Sequence, residues 1–145
     1  RIELAVLPPG IYALPNDRLG SLEFPKIDRA VELAEPLATL GWSELRPAAQ
    51  AMLADHAVPP AARIPPGPAW LPAELSAKLQ AICVHTPSYG TRSSSLLAIG
   101  PRGLEHYLDS DGPPCQTALR DRGDLVAALR DAPAAPAAPA ATEPG

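Results

Sequence analysis

The sequence predicts a mixed helix-and-strand domain of the α+β class, and three observations carry that prediction. Tyr89-Gly90-Thr91-Arg92-Ser93-Ser94-Ser95-Leu96-Leu97-Ala98-Ile99 reads as a strand entered through a glycine. The turn residues Gly100-Pro101-Arg102-Gly103 and a second short run, Leu104 to Leu108, follow it, which is the pattern of a β-hairpin. Lys26 to Glu35 instead repeats its apolar residues at helical spacing. Finally, 20 of the 145 residues are proline, many in two clusters, so long loops must join the regular elements.

In chain order, Ile2, Leu4 and Val6 alternate with Glu3 and Ala5, the period of a half-buried strand. Pro8-Pro9-Gly10 ends it, and Ile11 to Leu14 resumes an extended apolar run, so a first hairpin is expected there. A loop holding Asn16, Asp17, Arg18 and Gly20 follows. Pro25 suits the first turn of a helix, where its missing N–H would lack a partner anyway. Ile27, Ala30, Val31 and Ala34 form the inner face of that helix, and Pro36 ends or kinks it near Glu35. Leu37 to Gly41 is expected to be a short turn or helical remnant capped by the glycine.

Ser43 is the expected N-cap of a second helix running to about His56, with Leu45, Ala49, Met52 and Leu53 on its buried face. Residues 57–72, with Pro59-Pro60 and Pro65-Pro66-Gly67-Pro68, are too proline-rich for helix or central strand. A third, short helix is expected from Pro72 to Gln80, and Ala81 to His85 reads as a strand. In the Tyr89–Ile99 strand, parity puts Thr91, Ser93, Ser95, Leu97 and Ile99 on one face and Arg92, Ser94, Leu96 and Ala98 on the other. Asp124 to Arg130 suits a brief helix capped by Asp124. The last stretch, 132–145, is alanine and proline with almost nothing to bury, and is expected to be disordered or polyproline-like.

Bulk properties exclude several function classes. A net charge of −4 and a pI near 5.3 offer no electrostatic footprint for nucleic acid or an anionic membrane. No run approaches the roughly 18 apolar residues that would span a bilayer, and no signal peptide is visible, so a cytoplasmic protein is expected. In that setting Cys83 and Cys115 read as free thiols. The chain starts at Arg1 and its single methionine is Met52, which suggests a fragment or processed product.

Single residues suggest little chemistry on their own. Arg92 beside a ladder of hydroxyls has the planar donor fork that binds carboxylate or phosphate, but an arginine that pairs with a neighbouring acid explains it as well. Thr91, Ser93 and Ser95 suit cross-strand hydrogen bonding better than nucleophilic attack, since no histidine can be assigned to activate them. Cys83 and His85 alternate on one face, yet Cys-x-His alone is a weak metal signal without a second pair at zinc-like spacing. A buried thiol beside a structural histidine is the plainer expectation. His56 ends a helix, where a cation suits the dipole, and Asp109, Asp111 and Gly112 suit a polar turn better than a calcium loop.

Tyr89 to Leu97 closely resembles the YGTRSST-type strand of the transport and Golgi organisation protein 2 family, also called NRDE proteins after an Asn-Arg-Asp-Glu motif. Gly10-Ile11-Tyr12-Ala13-Leu14-Pro15-Asn16, followed by Leu19 and Phe24-Pro25-Lys26, is similar to a second family segment, with Ala13, Pro15 and Gly20 as departures. Together the two cover about residues 1–108, in the family's order.

The resemblance implies the C-terminal part of an N-terminal-nucleophile-hydrolase-like αββα sandwich, antiparallel sheets flanked by helices. It divides the chain into the C-terminal half of an NRDE-family domain (1–110), an irregular segment with a possible short helix (111–131) and the Ala/Pro tail (132–145). In such enzymes the first residue of the mature chain is nucleophile and base, so the resemblance places catalysis in a missing N-terminal half, which would also be this chain's partner. No catalytic or metal-binding residue is assigned here. The candidate ligand contacts are Tyr89, Thr91, Arg92, Ser93 and Asn16, for a small molecule of unknown identity. Three roles follow from the resemblance: a family member of poorly defined function (bacterial, on the Ala/Pro-rich and Lys-poor composition), a cysteine amidohydrolase once the N-terminus is present, or a non-catalytic haem or lipid carrier. Haem enters through the resemblance alone, and no cofactor is evident from the residues.

Overall fold

The computed structural model describes residues 4, 6–16, 18, 19, 21 and 24–132. The expected Ala/Pro tail lies, but for Ala132, outside the described residues.

Among the described residues, four α-helices and one three-stranded antiparallel sheet make up the regular structure, a mixed helix-and-sheet arrangement compatible with the α+β class. Helix α1 (Lys26–Ala34) begins directly after Pro25 and passes at Glu35–Thr39 into a 3-10 turn that carries Pro36. The proline has no N–H for the α-helical ladder, so the winding tightens there. Gly41 caps the start of α2 (Trp42–Leu53) and not the end of the preceding turn. Ser43 consequently sits inside the first turn of α2, two residues beyond the N-cap Gly41. The helix stops at Leu53, so His56 lies past its end in the following loop.

The proline-rich segment is loop apart from a 3-10 turn at Ala61–Arg63, and α3 (Ala73–Lys78) starts after Pro72. Strand β1 (Ser94–Gly100) turns at Pro101-Arg102 into β2 (Gly103–Ser110), with Gly103 at φ 95°, a left-handed conformation that glycine adopts without penalty. The register pairs Ser94 with Ser110 and Gly100 with Gly103, with one irregularity between Ala98 and Ile99. Parity follows the sequence within β1, where Ser94, Leu96 and Ala98 point inward and Ser95, Leu97 and Ile99 face outward, but residues 91–93 of the expected strand lie ahead of it as loop, and Arg92 and Ser93 are both exposed instead of alternating. Strand β3 (Arg120–Asp121) adds to β2 and leads into α4 (Gly123–Asp131), whose first turn is held by Asp121 Oδ1, which accepts from Gly123 N at 2.9 Å. Asp124 lies within that helix and is not its cap.

Three expected strands, at 2–7, 11–14 and 81–85, are not strands among the described residues. Residues 4 and 6–14 carry no ladder among the described residues, and Leu4 and Val6 are 94% and 99% exposed. Alternation supplies one face, but a strand also needs an edge to pair with. Residues 81–85 are a bent segment with a single bridge, His85 to Gly90, because the chain reverses at once through Thr86 to Tyr89.

The core lies where α2, β2, α4 and the 81–84 segment meet. Ala49, Ala81, Cys83, Val84, Leu108, Leu119 and Val126 are buried there, with Leu108 and Cys83 at 0% exposure. Trp42 stacks on His106 of β2 with ring centroids 4.1 Å apart, and Gln50 accepts from Leu119 N at 3.3 Å. These contacts fix α2 against the sheet and against the 114–119 loop.

Candidate functional site

Two tight loops build the site. In the first, Thr86 Oγ1 donates to the Tyr89 carbonyl (2.7 Å) and accepts from the Tyr89 amide (2.9 Å), closing a four-residue turn. The returning chain is then clamped to Val84. Thr91 N donates to the Val84 carbonyl at 2.9 Å, and Val84 N donates to Thr91 Oγ1 at 3.0 Å. Gly90 is required between them by space alone, since a Cβ there would lie 2.8 Å from the Val84 carbonyl oxygen.

The second loop follows β2. Ser110 Oγ donates to the Gly112 carbonyl at 2.9 Å and so has no further hydrogen, which makes Ser94 the donor in the 2.9 Å Ser94–Ser110 hydroxyl contact. The cross-strand hydroxyl pair is therefore Ser94 with Ser110, not one of the outward-facing serines. Asp109 pairs with Arg122 (2.9 Å), which uses that carboxylate for an ion pair across the sheet and not for a cation loop.

Between these loops opens a polar cleft of about 850 Å³, lined by His85, Thr91, Arg92, Ser93, Asp111 and the Tyr89-Gly90 turn, among others. Four of the five candidate contacts, Tyr89, Thr91, Arg92 and Ser93, come together on this cleft. Asn16 does not. It lines a neighbouring, mostly apolar cavity of about 520 Å³ with Phe24, Lys26, Trp70 and Leu71, and Tyr89 borders both. Arg92 is exposed and makes no hydrogen bond or ion pair among the described residues, so its guanidinium stands at the cleft without a protein acid to neutralise it. In the apolar cavity, burial pushes the Lys26 ammonium below its ordinary range, and Gln80 Oε1 is buried without a partner among the described residues.

Next to the polar cleft, and sharing His85 with it, stands a group that sequence spacing does not reveal, in which Cys83 is buried and His56, His85 and Cys115 are exposed. One ligand atom each from His56, Cys83, His85 and Cys115 lie within 4.8 Å of one another. Cys83 Sγ is 3.8 Å from Cys115 Sγ and 3.7 Å from His85 Nε2, and His85 Nε2 is 3.0 Å from Cys115 Sγ. His56 packs edge-on to His85, and its Nδ1 lies 2.9 Å from the Cys83 carbonyl oxygen, which can only accept. Nδ1 therefore carries the proton and Nε2 the lone pair. The two cysteines are free, and burial pushes the Cys83 thiol above its ordinary range, so it is the neutral thiol at neutral pH.

His56 thus stands beside Cys83, His85 and Cys115, past the end of α2 and not at the helix terminus. The cluster's only sequence-level signal was Cys83-x-His85; the other two members are contributed by loops 27 and 30 residues away.

Comparison with protein-family models, with curated proteins and with solved structures finds no match to this chain. Among the described residues, no helix is long and apolar enough to cross a membrane.

Proposed function

We propose that this chain is a small-molecule-binding portion of an NRDE-like domain, and that its polar cleft takes a small anion bearing a carboxylate or phosphate. The observation that carries this reading is Arg92: a permanently charged fork of donors at a cleft lined also by Thr91 and Ser93, with no acid paired to it among the described residues. Asp111 on the same cleft suits a ligand that also carries a hydrogen-bond donor. The N-terminal-nucleophile-like fold and the amidohydrolase role remain part of the family proposal.

A carrier role is supported by the neighbouring apolar cavity, where Lys26 and the unpaired Gln80 acceptor offer a polar end to an otherwise apolar ligand. The His and Cys donors favour a bare ion over haem, because they converge on one point, whereas axial ligands approach a haem iron from above and below its plane.

The test is titration of the chain with inorganic phosphate and with citrate, followed by amide chemical shifts. Shifts confined to Thr91, Arg92, Ser93 and Asp111, lost in Arg92→Ala and retained in part in Arg92→Lys, are expected. Thermal unfolding of Arg92→Ala should match the parent. Shifts elsewhere, or loss of fold along with loss of binding, would assign Arg92 a structural role and overturn the reading.

A further inference from the structure

We propose that His56, Cys83, His85 and Cys115 form a four-ligand zinc site that ties three loops of the fold together. The proposal stands apart from the anion reading, since it rests on different atoms.

Geometry carries it first. Tetrahedral zinc bonds sulfur at about 2.3 Å and imidazole nitrogen at about 2.0–2.1 Å, which sets sulfur–sulfur edges of about 3.8 Å and sulfur–nitrogen edges of about 3.6 Å. The two sulfurs stand 3.8 Å apart, and Cys83 Sγ to His85 Nε2 is 3.7 Å. The 3.0 Å contact of His85 Nε2 with Cys115 Sγ needs to open by about half an ångström. His56 would supply the fourth corner through Nε2; the four ligand atoms lie within 4.8 Å of one another, so the widest edge closes by up to about an ångström on binding. His56 Nδ1 already donates to the Cys83 carbonyl, the outer contact that typically fixes the tautomer of a metal-binding histidine.

Donor chemistry carries it second. Two thiolates and two imidazoles select a tetrahedral, borderline-soft ion, and four protein ligands leave no open position for a reacting water. The site is therefore structural. Charge balances: the ion enters as 2+, two thiols release two protons, and the neutral histidines release none. The filled site is neutral, which suits a place where Cys83 is wholly shielded from solvent.

Architecture carries it third. His56 lies on the loop after α2, Cys83 and His85 on the bent segment before the hairpin, and Cys115 on the loop after β2. Among the described residues, two of the seven buried apolar ones are alanines, a light core. A light core is where a metal cross-link adds most to folding.

The experiment uses the reduced chain stripped with chelator, then titrated with zinc(II) or cobalt(II). One ion per chain, release of about two protons per zinc, and a sulfur-to-cobalt charge-transfer band with tetrahedral visible absorption are expected. Zinc should also slow reaction of both thiols with a disulfide reagent. Cys115→Ser, at an exposed position, should keep its far-ultraviolet circular dichroism yet bind zinc at least about tenfold more weakly. His56→Ala should do the same. An octahedral cobalt spectrum without the charge-transfer band, thiols that react equally fast with and without zinc, or folded variants that bind zinc as the parent does would each overturn the proposal.

Discussion

Val84 and Thr91 hold each other through two hydrogen bonds: the Thr91 amide to the Val84 carbonyl, and the Val84 amide to the Thr91 hydroxyl. This reciprocal clamp joins the segment carrying Cys83 and His85 to the segment carrying Arg92. The cleft and the sulfur–imidazole cluster therefore share one support, and four expectations follow from that region and the core around it.

Thr91→Val keeps the shape but removes the acceptor for the Val84 amide, and Val84 is buried. An unsatisfied buried donor costs about 1–3 kcal/mol. Denaturant unfolding should show a loss in that range for Thr91→Val and a much smaller one for Thr91→Ser, which restores the hydroxyl. Equal losses would place the effect in the methyl group instead.

Gly90→Ala tests close approach in isolation. The new Cβ would meet the Val84 carbonyl oxygen at 2.8 Å, a backbone atom that cannot swing aside, so the clamp must open. Overpacking of this kind costs about 1–3 kcal/mol. The melting temperature should fall, and the Thr91 amide should lose hydrogen-exchange protection. Full protection in the variant would show that the loop adapts elsewhere.

Leu108→Ala removes the central contact of the sheet, a leucine with 0% exposure. Truncating a buried leucine costs about 2–5 kcal/mol. Outward-facing Leu97 on the neighbouring strand should cost far less when truncated, and comparable losses at both positions would mean that the outward face of β1 is covered in solution.

Lys26 sets a pH dependence of definite sign. Its folded pKa lies below the ordinary 10.5 because burial disfavours the charged form, so the folded state gives up this proton before the unfolded chain does. The cost of the buried charge is full at neutral pH and fades as pH rises through the folded pKa toward 10.5. Stability relative to Lys26→Met should therefore improve from neutral to alkaline pH, a comparison in which the cysteine titrations cancel. A difference that is flat with pH, or that moves the opposite way, would contradict the shift.

Local patterns were legible where a short stretch contains its own partner. The β1–β2 hairpin announces itself through Gly100-Pro101-Arg102-Gly103 and the alternation on either side, and its inward and outward faces follow from parity. Helix α1 is equally plain from Pro25 and its apolar spacing. Helix limits were less so: Gly41 and Ser43 are both competent caps, and the tightened turn after Pro36 places the start of α2 at Trp42.

By itself, then, the sequence determined the hairpin, the helical segments, the proline loops and the grouping of Tyr89, Thr91, Arg92 and Ser93. Each depends on residues within a few positions of one another. Tertiary structure decided that residues 4 and 6–14 form no ladder among the described residues, since a strand exists only against a partner edge. It also decided that His56 and Cys115 meet Cys83 and His85. That meeting depends on how α2 and the hairpin pack, and three loops about 30 residues apart carry no shared spacing from which it could be read.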